Sequence, residues 1–166
     1  RLSIPDLEKR SNQPFVYENL AITFNGEIYN YLQIRKELLD LGYSFKTESD
    51  TEVLLIGYFV WKEEILQKIN GMFSFSIYDF ENKIIFSARD RLGVKPFYYY
   101  WDGSNFEICS QISPLLNKSS IISSLGISIY LDCGYVPSPH TIIENIYKLE
   151  PGNFMKIDLN HKSLKV

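Results

Sequence analysis

Histidine and cysteine are scarce in this sequence, with two of each in 166 residues. His140 and His161 lie far apart in loop-like segments, so no convergent ligand set and no metal site is expected. Cys109 and Cys133 each sit in an apolar stretch. They read as reduced thiols buried as small hydrophobes, not as a disulfide framework. No apolar run approaches the roughly 20 residues that span a bilayer, and no signal peptide is visible. A cytoplasmic location without a membrane partner is the expectation. The formal net charge is −3 and no long basic cluster occurs. That argues against nucleic acid, because phosphate binding needs concentrated Lys and Arg. Internal repeats and low-complexity linkers are absent as well. So is a starting Met: Arg1-Leu2-Ser3-Ile4 reads as a strand already under way, and the sequence is expected to be a piece of something longer.

What is present is apolar and aromatic. Hydrophobic residues make up 45% and aromatic residues 15%, with 12 Tyr and 11 Phe. That composition suits one ordered, sheet-rich domain with a real core.

The periodicity changes along the chain. Residues 20–24 read as a strand entering an Asn25-Gly26 turn. Tyr31, Ile34, Leu38 and Leu41 recur at helical spacing and predict an amphipathic helix over 31–41, with Asn30 and Gln33 in capping-box position and Gly42 as the stop. Ser49 and Glu52 form a second box before a largely buried helix over about 51–61, and 63–68 continues as a short helix. Phe73, Phe75 and Ile77 then alternate with polar residues, as a half-buried strand does. Strands at 84–88, 97–101 and 106–110 follow in a meander, with Asp102-Gly103 as a hairpin signal. Helical pattern resumes near 113–117 and 123–132, and a short strand closes the tail. Helices grouped together, then strands grouped together, predict an α+β fold with antiparallel sheets.

The residues that suggest chemistry cluster in two places. Asn25 and Gly26 offer an amide side chain and a backbone N–H. They are equally a favoured hairpin dipeptide, but a capped helix follows them rather than a partner strand. Two donors on a developing oxyanion contribute roughly 3–4 kcal/mol each to a transition state. Glu27 reads as a solvated acid or as a partner for a substrate ammonium. Asp50 reads as a first-turn acid favoured by the helix dipole or as a second such partner. Arg1 is a surface residue unless its strand borders the same pocket, where its fork would take a carboxylate bidentately. Together these groups describe a site for an amino acid with a reacting side-chain carbonyl. Glutamine fits; so do asparagine and a peptide end. The loop from Arg89 to Pro96 resembles a catalytic loop but reads as a salt-bridged turn that shapes the sheet.

These segments resemble the glutaminase domain of class II glutamine amidotransferases, in the form found in glutamine-hydrolysing asparagine synthetases. The matching stretches are Arg1-Leu2-Ser3-Ile4 with Asp6, Asn25-Gly26-Glu27-Ile28-Tyr29-Asn30, Ser49-Asp50-Thr51-Glu52, Asn70-Gly71-Met72-Phe73, Arg89 to Pro96, and Gly134-Tyr135-Val136-Pro137 with Pro151-Gly152. They occur in family order over nearly the whole chain. The resemblance implies a four-layer αββα sandwich of the N-terminal-nucleophile type, with residues 1–166 as a glutaminase domain incomplete at its N-terminus. It implies an oxyanion hole from the Asn25 side chain and the Gly26 N–H. Arg1 would bind the glutamine carboxylate, Glu27 and Asp50 its α-amino group, and backbone groups of Leu2, Ser3, Ile4 and Pro5 would line the pocket. The nucleophile in this family is an N-terminal Cys, which neither Cys109 nor Cys133 replaces, so the fragment alone is expected to be inactive. No cofactor is implied here. ATP and Mg belong to a synthetase domain that would follow residue 166 and would be the partner within the parent chain; a homodimer is an open expectation. Two alternatives stand beside this reading: amidation of a sugar or polysaccharide precursor, and a non-catalytic amino-acid-binding domain.

Overall fold

The computed structural model describes residues 13–166. Strands β1 (Phe15–Tyr17) and β2 (Leu20–Ile28) lead into helices α1 (Tyr31–Asp40) and α2 (Asp50–Trp61). A 3-10 turn at Lys62–Glu64 and the short α3 (Ile65–Lys68) return the chain to β3 (Gly71–Asp79) and β4 (Ile84–Arg89). Strands β5 (Tyr98–Trp101) and β6 (Phe106–Cys109) follow, then a 3-10 segment at Ser113–Asn117 and helix α4 (Ser124–Cys133). Strands β7 (Ile146–Lys148), β8 (Phe154–Asp158) and β9 (Ser163–Lys165) close the chain.

Among the described residues the strands form two antiparallel sheets. One has the order β1-β2-β3-β4-β8-β9 and the other β6-β5-β7. Alternation sorts the side chains of the larger sheet. Ile22, Phe24 and Ile28 of β2, Phe73, Phe75 and Ile77 of β3, and Phe86 and Ala88 of β4 turn to one side, where they meet Ile34 and Leu38 of α1 and Val53 to Ile56 of α2. The opposite face carries Ser74, Ser76 and Ser87, and a second cluster there joins Met155 and Ile157 of β8 to Phe97 and Tyr99. A third cluster of Tyr100, Leu115 and Ile146 lies under the 3-10 segment. The layers are thus helices, sheet, sheet and a thin outer layer, the expected α+β sandwich.

Helix α2 is buried from Asp50 through Tyr58, as expected for a helix apolar on nearly all sides. Each fully buried Leu or Ile there contributes roughly 1.5–3 kcal/mol relative to exposure.

Three local expectations change. First, β2 does not end at Asn25: it runs through Asn25, Gly26 and Glu27 to Ile28, paired to β3 throughout. The supposed turn is a strand because β3 supplies a partner for every one of its residues. Second, neither capping box closes. The Ser49 hydroxyl accepts the Thr51 N–H at 3.1 Å. Glu52 instead takes the N–H groups of Lys46 and Thr47 and the Thr47 hydroxyl, at 2.7–2.8 Å. The Ser49 N–H that the box would have given to Glu52 donates to the Thr47 hydroxyl instead, at 3.1 Å, so the buried donors of this turn still have partners. Asn30 makes no cap bond; its side chain donates to Lys68 C=O at 2.9 Å and accepts the Asn70 N–H at 2.8 Å, tying the exit of β2 to the entry of β3. Third, the Arg89–Pro96 loop contains no ion pair among the described residues. Arg89 donates to three carbonyls, those of Gly93, Lys95 and Leu149, at 2.7–2.8 Å. Asp90 accepts from the N–H groups of Phe73, Leu92, Val94 and Lys95. Both charges are met by backbone dipoles, so the loop is built around them and not between them.

Candidate functional site

The register of β2 against β3 decides what each residue of the Asn25-Gly26-Glu27 segment can present. One step beyond either end of the ladder, the Phe80 N–H reaches Asn19 C=O at 2.9 Å and the Tyr29 N–H reaches Asn70 C=O at 2.8 Å. Asn19 and Tyr29 are therefore in hydrogen-bonded pairs. Because such pairs recur every second residue, Ala21, Thr23, Asn25 and Glu27 spend their backbone groups on β3. Leu20, Ile22, Phe24, Gly26 and Ile28 point theirs the other way.

On that other side β1 pairs only as far as Phe15 with Ile22. Beyond it the Phe24 N–H donates to the side chain of Gln13 at 2.7 Å, and the Ile28 N–H donates to Asp50 Oδ2 at 3.1 Å. Between these two held groups, the Gly26 N–H is offered at the sheet edge. Phe73, the residue opposite Gly26, confirms the phase: its C=O accepts the Asp90 N–H at 2.8 Å and is turned away from β2.

Gly26 is required by geometry as well as by register. Its φ is +152°, and a Cβ there would lie 2.1 Å from Met72 C=O. Gly71 on β3 has the reciprocal problem, with an added Cβ 2.1 Å from Glu27 C=O. Two glycines, Gly26 opposite Phe73 and Gly71 opposite Ile28, let the two backbones close together at this end of the ladder.

The side chains of Thr23, Asn25 and Glu27 share the face toward the second sheet, with about 7 Å between Asn25 and Glu27 along the strand. Thr23 and Asn25 line a cavity of about 310 Å³ between the sheets, with Ser74 and Ser76 of β3 and Ile108, Cys109 and Ser110 opposite. The cavity also touches Gln13. Sequence reading singled out neither Gln13 nor the serine seam, because only strand pairing brings them to Asn25.

Asp50 stands at the first position of α2, buried and hydrogen-bonded to Ile28. Burial pushes its carboxyl up from the ordinary aspartate range; the Ile28 and Thr51 N–H groups pull it back, and the negative charge of Glu27 pushes it up further. No Lys, Arg or His among the described residues forms an ion pair with Asp50 or Glu27. Two neighbouring acids with no ion-pair partner among the described residues are suited to a cationic ligand.

Four of the expected site residues, Asn25, Gly26, Glu27 and Asp50, come together at the end of β2. Arg1, Leu2, Ser3, Ile4 and Pro5 lie outside the described residues. Cys109 is half-buried at the cavity wall, and Cys133 is exposed at the end of α4. Among the described residues no group of His, Cys, Asp and Glu is arranged to hold a metal ion, and no helix is long and apolar enough to cross a membrane.

Known proteins share both the sequence and the fold. Asparagine synthetase (glutamine-hydrolyzing) 1 of Bacillus subtilis is 40% identical over 157 residues, covering 92% of this chain and 25% of its own length. Asparagine synthetase (glutamine-hydrolyzing) 3 of the same organism is 37% identical over 171 residues, covering 96% of this chain and 28% of its own. This chain therefore spans little more than a quarter of those relatives. The solved structure of the allosteric regulatory enzyme of purine biosynthesis superposes with a TM-score of 0.66 at 20% identity, over 94% of this chain and 30% of that one. That likeness is one of fold. The family model described as a glutamine amidotransferase domain matches residues 1–166, and with the β2 edge and its acids in place, the chain belongs to the glutamine amidotransferase domain family.

Proposed function

We propose that this chain is the glutamine-hydrolysing domain of an asparagine synthetase-like enzyme. The polypeptide that carries it would release ammonia from glutamine, leaving glutamate, and pass the ammonia to an ATP-activated carboxylate, converting aspartate to asparagine. One observation carries the reading: the Gly26 N–H is offered between two held N–H groups, beside the Asn25 side chain, with Glu27 and Asp50 at the same end of the strand.

The chemistry follows from those positions. As a nucleophile adds to the glutamine amide carbon, the carbonyl oxygen gains charge. On this reading the Asn25 amide and the Gly26 N–H receive it, and a rigid ladder spares them reorganisation at that moment. Glu27 and Asp50 hold the α-ammonium, whose charge offsets the cost of keeping two acids close together. Arg1 would take the α-carboxylate and Leu2 to Pro5 would line the same pocket, as the family resemblance implies. The attacking thiol belongs to an N-terminal Cys, a role that internal Cys109 and Cys133 do not fill. The names carried by the B. subtilis relatives support glutamine as the molecule hydrolysed and asparagine as the product.

The test is glutamate release from glutamine by the full polypeptide, followed by asparagine formation with ATP, Mg and aspartate. Both activities are expected. Absence of glutamate above background sinks the reading. Glutamate without asparagine leaves the hydrolysis and rejects the acceptor.

A further inference from the structure

Strand pairing puts a hydroxyl beside the proposed oxyanion donor. Ser74 of β3 stands directly opposite Asn25, and Ser76 directly opposite Thr23. Residues so paired share a face of the sheet, with Cβ atoms about 5 Å apart. The Ser74 hydroxyl therefore lies next to the Asn25 amide, and both residues line the cavity between the sheets.

The two serines differ in what holds them. The Ser76 hydroxyl lies 2.7 Å from that of Ser87 on β4. Ser74 has Arg89 as its β4 neighbour, but the Arg89 guanidinium donates to the carbonyls of Gly93, Lys95 and Leu149. Among the described residues none hydrogen-bonds the Ser74 hydroxyl, although the residue is only 5% exposed. Buried hydroxyls are ordinarily partnered, and one that opens on a cavity is partnered by what fills it. The cavity of about 310 Å³ has room for several waters, each taking about 30 Å³. Hydroxyls of Thr23, Ser74 and Ser76 give it the polar lining that keeps a cavity wet.

Position selects the role. Along β2, Glu27 lies on one side of Asn25, where Asp50 joins it to hold the α-ammonium of glutamine. The hydroxyl-lined space runs from Asn25 the opposite way, towards Thr23 and Ser76. The substrate thus occupies one side of the oxyanion donor and water the other.

We propose that the Ser74 hydroxyl holds the water that hydrolyses the acyl-enzyme. This rests on the proposed function and adds a residue to it. Once ammonia has left, the glutamyl group is a thioester on the N-terminal Cys, with its carbonyl oxygen at Asn25 and Gly26. The water oxygen bonds to the carbonyl carbon, the carbon–sulfur bond breaks, and glutamate is released. One water proton passes to the sulfur and restores the thiol. Ser74 is unchanged by the step: it fixes the water against the carbon whose oxygen Asn25 receives, and such fixing is what accelerates a bimolecular attack.

The experiment uses the full polypeptide with Ser74→Ala and Ser74→Thr. In Ser74→Ala the glutaminase kcat is expected to fall about 10-fold and KM to fall with it, leaving kcat/KM within about twofold. A burst of ammonia near one equivalent should precede steady turnover, the mark of an accumulating acyl-enzyme. Hydroxylamine, which attacks in place of water, should speed ammonia release by the variant and yield the γ-glutamyl hydroxamate. Ser74→Thr keeps the hydroxyl and should recover kcat to within about threefold. If Ser74→Ala does not fold, Ser74→Cys, with its weak S–H donor, serves with the same readouts. Wild-type kcat in Ser74→Ala overturns the proposal. So does a kcat/KM that falls with kcat and no burst, which would make Ser74 a structural residue. A wild type that releases no glutamate removes the glutaminase reading and this role together.

Discussion

The carboxylate of Asp50 accepts the N–H of Ile28 at 3.1 Å, across a sequence separation of 22 residues. That bond ties the start of α2 to the far end of β2 and holds a buried acid beside Glu27. Asp50 titrates above the ordinary aspartate range because burial raises its carboxyl more than the Ile28 and Thr51 N–H groups lower it.

Asp50→Asn in the parent enzyme is expected to raise the KM for glutamine roughly 10- to 100-fold, the scale of a lost charge-assisted hydrogen bond. A folded-state carboxyl raised above its unfolded value stabilises the fold at low pH and loses that contribution as pH rises through the folded value. Asn removes the loss and can still accept the Ile28 N–H. The variant should therefore melt no lower than wild type at pH 7, with the gap closing as the pH falls into the ordinary carboxylate range. An unchanged KM with only a lower Tm would reduce Asp50 to a helix-start residue.

Asn25→Ala separates side chain from backbone. The backbone of Asn25 belongs to the ladder with Ser74, so Tm should move by no more than about 2 °C. The glutaminase kcat should fall roughly 100- to 1,000-fold, as for removal of one oxyanion donor. A loss below about threefold would take Asn25 out of that role.

Gly26→Ala tests the close approach of two strands. The new methyl would lie 2.1 Å from Met72 C=O at a φ of +152°. The strand must shift or the domain must loosen, at a cost of roughly 1–3 kcal/mol for the backbone conformation alone. Lower Tm and loss of glutamate release are both expected in thermal melts and activity assays. Wild-type values for both would show that the ladder is not this tight.

Asp90→Ala tests a residue assigned no chemistry. Four N–H donors converge on this buried carboxylate. Leu92 and Val94 are exposed, so water can replace part of what is lost. A destabilisation of about 3 kcal/mol is expected, which lowers Tm by roughly 6–12 °C for a domain of this size. Retention of Tm within about 2 °C would mean that the loop holds its shape without the acid.

The helices were legible in the sequence because their signal is local. Tyr31, Ile34 and Leu38 repeat at 3.6-residue spacing whatever lies around them, and α1 and α2 form within a residue or two of the expected ranges. The alternation of Phe73, Phe75 and Ile77 identified β3 in the same way. The fate of Asn25-Gly26 was not legible. A dipeptide that favours a turn in isolation becomes mid-strand once β3 offers it partners, and no local preference of that size outweighs nine paired residues. The expected capping boxes failed similarly: Glu52 and Asn30 answered N–H groups brought near by the fold, at Lys46, Thr47 and Asn70.

By itself the sequence determined the element types, the α+β class, and the presence of an amide, a glycine and two acids suited to an amino-acid substrate. Those depend on side-chain chemistry and on spacing within a few residues. Only the tertiary structure decided that even-numbered residues of β2 turn their N–H groups to the sheet edge, and that Gln13 and Asp50 occupy the donors on either side of Gly26. Register and burial are set by contacts between residues tens of positions apart, and a one-residue slip of β2 would have turned the Gly26 N–H into the ladder and Asn25 into the core.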